Sequence, residues 1–213
     1  MGKRLGKGTT NSIYRCALRT DQRTWVAVVK ASQDPSRQEK LRNEVRQIQW
    51  LHPSKDARKS KVVECLDWFD DSNNPRLVIR YCTGGDLKSF RESLGRVDEN
   101  FMRGVFLQMA EALAFIHNQD IIHCNVKPSN ILLAFPPNPE DELAPALKLA
   151  DFGHAHEANS TQHKPKGSWI WRPELPKANS CSKTIDMWAL GAVIHYLAVG
   201  RSPWKPNTKV EMK

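Results

Sequence analysis

The sequence has no run of about 18 apolar residues, so no transmembrane helix is expected. Its start, Met1-Gly2-Lys3-Arg4-Leu5-Gly6, lacks a hydrophobic signal region. Gly6 also stands where a myristoylation pattern wants Ser or Thr. Cysteine is sparse and scattered, at positions 16, 65, 82, 124 and 181, with no C-x-x-C pair. That usage reads as reduced thiols in an intracellular, cytoplasmic protein, and neither disulfides nor zinc are expected. No internal repeat is visible. Acidic residues are in deficit: 23 Asp and Glu face 32 Lys and Arg, for a net charge of +9 over 213 residues. The bases are spread along the chain, with a denser patch at Lys55, Arg58, Lys59 and Lys61. A solvated basic surface is the plain reading, and attraction to an acidic partner or nucleic acid is the other. The Trp residues lie mostly within apolar patterns, not as base-stacking platforms, which argues against nucleic acid.

What is present falls into two parts. Residues 4–30 alternate as short strands: Ser12 to Leu18, a turn near Thr20-Asp21-Gln22, then Trp25 to Lys30. Residues 36–51 carry a helical period, and two further strands are expected around 62–69 and 76–81. Thr83-Gly84-Gly85-Asp86 breaks the pattern. Beyond it the chain turns helical, with a long helix from Phe101 to His117. A short strand is expected at Leu147 to Ala150, and an irregular segment at 154–180. Ile185 to Val199 is apolar on nearly every side, which predicts burial on all faces. Strands first and helices second predict an α+β fold.

Several stretches carry chemistry. In Leu5-Gly6-Lys7-Gly8-Thr9-Thr10-Asn11-Ser12-Ile13 the glycines would let backbone approach phosphates closely, although a plain hairpin reads the same way. Lys30 closes the apolar strand Val26-Ala27-Val28-Val29, where a lysine is commonly a snorkelling end residue. Leu41, Glu44, Ile48 and Leu51 share one helical face. An acid in that stripe either sits at its exposed edge or is buried with a partner, because a lone buried carboxylate is costly.

The stretch His123-Cys124-Asn125-Val126-Lys127-Pro128-Ser129-Asn130 closely resembles the protein kinase catalytic loop, H-R-D-L-K-P-x-N. Asp151-Phe152-Gly153 follows as an intact D-F-G. Gly167 to Glu174 resembles the end of an activation segment, with Arg172 in place of Ala. Asp186-Met187-Trp188-Ala189-Leu190-Gly191 resembles the central helix. These pieces run in family order from residue 5 to 204, so the chain resembles a serine/threonine protein kinase domain over nearly its whole length. The resemblance implies a two-lobed kinase fold: an antiparallel-sheet N-lobe with one helix at 1–81, and a mainly helical C-lobe at 82–213 lacking its last helices. Poor solubility, or a partner chain covering that C-lobe, is therefore expected.

The resemblance also implies ATP and Mg²⁺ as cofactors, and a protein as substrate or scaffolded partner. Gly6, Gly8 and Ile13 would lie over the nucleotide. Val28 would roof the adenine in place of the family's alanine. Lys30 would hold the α- and β-phosphates and pair with Glu44. Ile79 falls at the gatekeeper position, backbone groups of Arg80 and Cys82 would meet the adenine edge, and Leu132 would form its floor. Lys127 would contact the γ-phosphate, while Asn130 and Asp151 would bind Mg²⁺.

Two positions depart from the catalytic loop pattern. Asn125 stands where the family has its catalytic base, and an amide cannot accept a proton as a carboxylate does. Phosphoryl transfer is expected to be weakened, with a pseudokinase scaffold as the alternative. Cys124 replaces the arginine that pairs with a phosphorylated activation segment, so control through Ser160, Thr161 or Ser168 is not expected.

Overall fold

A computed structural model describes residues 4–7, 12–19, 24–32, 34–70, 74–138, 144–158, 160 and 182–203. Gly8 to Asn11 and Gly167 to Glu174 lie outside the described residues.

The first part is a five-stranded antiparallel sheet. Its strands are β1 (Arg4–Lys7), β2 (Ser12–Arg19), β3 (Thr24–Ala31), β4 (Cys65–Phe69) and β5 (Arg76–Arg80), in the order β1-β2-β3-β5-β4. The run Val26-Ala27-Val28-Val29 suits β3, which lies between two neighbours and has Ala27 and Val28 buried. The register sets Val28 opposite Ile79 and Lys30 opposite Leu77.

Helix α1 (Pro35–Leu51) packs beside this sheet. It starts where Asp34 accepts the Ser36 N–H and Pro35 takes the first helical position. Its stripe of Leu41, Glu44, Val45, Ile48 and Leu51 is buried.

After the sheet the chain passes Gly84. A Cβ there would lie 2.3 Å from the Phe135 carbonyl oxygen, so only glycine fits. Helix α2 (Leu87–Leu94) is capped by Asp86, and α3 (Glu99–Asn118) by Asp98. Short strands follow: β6 (Ile121–Ile122) pairs with β9 (His156–Glu157), and β7 (Ile131–Leu133) with β8 (Leu147–Leu149). One hydrophobic core runs through both parts, from Val28 and Leu41 to Phe115, Phe152 and Leu197.

Helix α4 (Lys183–Val199) corrects one expectation. Ile185, Ala189, Leu190, Val193 and Leu197 are buried, but Met187 is 44% and Trp188 46% exposed. The helix packs against α3, and the described residues cover the stripe facing it, not the whole circumference.

Asp186 on α4 is fully buried and ties the two helices to the loop between them. Its Oδ2 accepts the His123 backbone N–H at 2.8 Å and meets His117 Nε2 at 2.9 Å. Its Oδ1 accepts the Cys124 N–H at 2.9 Å. Cys124 is held there at φ 59, a left-handed conformation uncommon for such a residue. Asp186→Ala strips buried donors of their acceptor, so it is expected to cost about 3 kcal/mol in urea denaturation. Glu111→Ala, at an exposed pair with Lys61, should stay within about 0.5 kcal/mol. Equal losses for both would show that Asp186 anchors nothing.

Candidate functional site

The site forms where β3, α1 and the loops after β6 and β8 meet. Lys30 reaches from β3 to Glu44 on α1, with Nζ to Oε1 at 2.5 Å. Glu44 is 1% exposed and Lys30 12%. This settles the acid's place in the helical stripe: it is buried and paired.

Burial opposes charge on both partners. At Lys30 burial is outweighed by the Glu44 and Asp151 carboxylates, and the ammonium's pKa is raised. At Glu44 burial outweighs Lys30, so its carboxyl is also raised. The first shift strengthens the ion pair and the second weakens it. The 2.5 Å contact favours the charged pair, and Asp151 keeps Lys30 protonated while opposing the charge on Glu44.

Asp151 is the second carboxylate on Lys30. Its backbone sits at φ 66, ψ 69, a left-handed conformation that Asp tolerates better than most residues. Burial would raise its pKa, but Lys30, then His123, Lys127 and His154, hold it below the usual carboxylate range. Phe152 next to it is fully buried and meets the His123 ring edge-on at 4.7 Å. Asn43 of α1 donates to the Ala155 carbonyl at 2.8 Å. Helix α1 is thus tied to this segment by Asn43 and to the sheet by Glu44.

The catalytic-loop stretch closes around Asp151. Asn125 Nδ2 donates to Asp151 Oδ2 at 2.9 Å. Asn130 Nδ2 donates to the Asn125 carbonyl at 2.8 Å, which leaves its Oδ1 as the amide atom able to serve a cation. The Asn130 carbonyl accepts the Ala150 N–H at 2.9 Å, and His123 Nε2 meets the Ala150 carbonyl at 3.1 Å. Cys124 Sγ lies 3.4 Å from His156 Nε2, so a thiol–imidazole contact stands where an arginine was expected.

Around the strands, Val28 and Ile79 are buried in facing positions, and Leu132 is half-buried on β7. Arg80 donates its backbone N–H to the Glu64 carbonyl at 3.0 Å. Its side chain pairs with Glu64 at 2.5 Å. Cys82 is buried, and burial pushes its thiol pKa up, which fits a plain lining residue. Gly6 pairs with Ile13 in β1–β2, while Gly8 lies outside the described residues. The roles of Asn43 and His156 had no signal in the sequence, because each depends on which backbone group the fold brings opposite.

The sheet with one helix, the helical second part and the Lys30–Glu44–Asp151 cluster define the kinase fold class. Comparison with known proteins agrees: the protein kinase domain family model matches residues 1–213, and the chain belongs to that family. It is 29% identical over 214 residues to the human (Homo sapiens) serine/threonine-protein kinase ULK3, covering 99% of this chain and 43% of that protein. It is 27% identical to serine/threonine-protein kinase ATG1c of Arabidopsis thaliana, over all of this chain and 28% of that protein. Serine/threonine-protein kinase RUNKEL of the same plant is 30% identical over 94% of this chain and 14% of its own length. The chain therefore spans less than half the length of these relatives. Protein kinases as a family use ATP with Mg²⁺ and act on protein substrates. No helix among the described residues is long and apolar enough to cross a membrane.

A buried pair broken on one side leaves the other charge uncompensated. Lys30→Ala is expected to cost about 3–5 kcal/mol in chemical denaturation, and Lys30→Met with Glu44→Leu together much less. A double variant as unstable as the single one would contradict the pairing.

Proposed function

We propose that the chain binds Mg·ATP between β3 and the loop at 123–130, and transfers the γ-phosphoryl group slowly to protein Ser or Thr hydroxyls. The residues present suit that ligand. Asp151, kept ionised by the cations around it, and Asn130 Oδ1 would hold Mg²⁺. Lys30, steadied by Glu44, would hold the α- and β-phosphates, and Lys127 the γ-phosphate. When bound, Mg²⁺ would neutralise charge that develops on the phosphoryl group. Gly6 and Gly8 would let the backbone approach the phosphates, and Ile13, Val28, Ile79, Arg80, Cys82 and Leu132 would enclose the base. The two lobes of this reading meet at 81–82.

The observation that carries the reading is the 2.9 Å contact from Asn125 to Asp151. With Asp at 125 two carboxylates would face each other there, and a cation would be needed to relieve them. The amide replaces that repulsion with a hydrogen bond, so the metal ligand is oriented before metal arrives. The amide cannot take the substrate's proton, and general-base help is worth about 10²–10⁴-fold. The same contact supports a second reading, a nucleotide-binding scaffold: an Asn125 amide engaged by Asp151 is less available to orient a hydroxyl.

Asn125→Asp is expected to melt a few degrees lower than the native chain without metal and to gain more from Mg²⁺. Its phosphotransfer, followed with radiolabelled ATP, should exceed the native rate by about 10²–10⁴-fold. Native transfer that vanishes in Lys30→Ala identifies a slow kinase. Nucleotide binding with transfer only in Asn125→Asp identifies the scaffold. A native chain that binds no nucleotide defeats both.

A further inference from the structure

The basic patch at 55–61 has no part in the nucleotide reading, and it borders a cavity. The cavity measures about 380 Å³ and shares no lining residue with the Lys30–Asp151 cluster. That is the size of a small-ligand site. Its walls come from the end of α1, the 3₁₀ turn Ala57–Lys61, β4 and the edge of β8.

The lining divides by chemistry. Ile48, Leu51, Val62 and Val63 supply buried apolar surface. Asp56 and Glu64 are the acids, and each is already held by a guanidinium: Arg58 at 2.6 Å and Arg80 at 2.5 Å. The cations are differently placed. Lys59 Nζ donates to the His52 carbonyl, and Lys148 Nζ to the Ser60 carbonyl. An ammonium has three donors, so each contact to a neutral oxygen leaves two. Burial lowers the Lys148 pKa, and an anion beside it would offset that burial. Cys65 on the wall is inert: burial pushes its thiol up to about 11, far from the thiolate needed for reaction.

Each acid thus has a guanidinium partner from outside the cavity, and although Lys148 also feels the Glu64 carboxylate, both ammonium groups keep donors with an apolar floor beside them. We propose that this cavity binds a small amphipathic anion, an alkyl or aryl carboxylate. Its apolar body lies against Ile48, Leu51, Val62 and Val63, and its carboxylate accepts from Lys59 and Lys148. The site stands or falls independently of nucleotide binding. It touches both elements that frame the cluster: Ile48 and Leu51 share the α1 stripe with Glu44, and the Val63 N–H donates to the carbonyl of Leu149, two residues before Asp151.

The probe is 4-phenylbutyrate, titrated into the full chain while the methyl NMR signals of Ile48, Leu51, Val62 and Val63 are followed. The neutral 4-phenylbutan-1-ol is the control. Saturable shifts at these methyls are expected, with the alcohol at least about tenfold weaker, as for loss of a charge-assisted hydrogen bond. Lys148→Glu should weaken phenylbutyrate by about tenfold or more, and Lys59→Glu is the second variant should the first not fold. Absence of saturation, shifts confined to other methyls, equal binding of the alcohol, or undiminished binding in the folded variant would each overturn the proposal.

Discussion

One buried carboxylate fixes the position of almost everything that matters here. Asp186 accepts hydrogen bonds from the backbone at both His123 and Cys124, and it meets His117 on α3. A charge with no exposure is tolerable only when its oxygens are satisfied this fully. The consequence reaches up the chain. The loop is held in a left-handed turn at Cys124, which presents Asn125 to Asp151 and sets Asn130 behind it. Without that anchor the loop would be an ordinary surface connection with polar side chains pointing to water.

Above the anchor, the site is a balance of charge. Lys30 stands between the Glu44 and Asp151 carboxylates, and Lys127 adds positive charge around Asp151. On the proposed function such a cluster would be preorganised for phosphate and divalent metal, since each group is already held in place. A fourth ionised group, a carboxylate at 125, would normally complete a catalytic centre. Here the amide keeps the geometry and removes both the repulsion and the proton acceptor. In the proposed reading binding and chemistry are thereby separated: the groups that would grip a nucleotide remain, and the group that would accept the hydroxyl's proton does not.

Much of this was legible in the residues. The apolar stripe around Glu44 fixed the helix and the need for a partner, and the strand ending in Lys30 supplied one. Most strands, α1 and α3 fell where alternation and helical period put them, with Pro35 and the Asp caps extending the helices by a residue or two, but β4 starts at Cys65 because Val62 and Val63 pair with Leu149 instead. The errors had physical causes. Composition made α4 look buried all round, because an apolar sequence says what could be covered and not what covers it. The Asn43 tether and the Cys124–His156 contact were invisible, since both join side chains to groups that only tertiary structure brings near. Pairs of two- and three-residue strands such as β6–β9 are too short to carry a period.

The central claim is that the nucleotide site is built and only the base is missing. Calorimetric titration of Mg·ATP into the native chain tests it most directly. The account predicts saturable binding at one site, retained in Asn125→Asp and abolished in Asp151→Ala. A folded native chain that gives no binding heat, or an Asp151→Ala chain that binds as well as the native one, would contradict it.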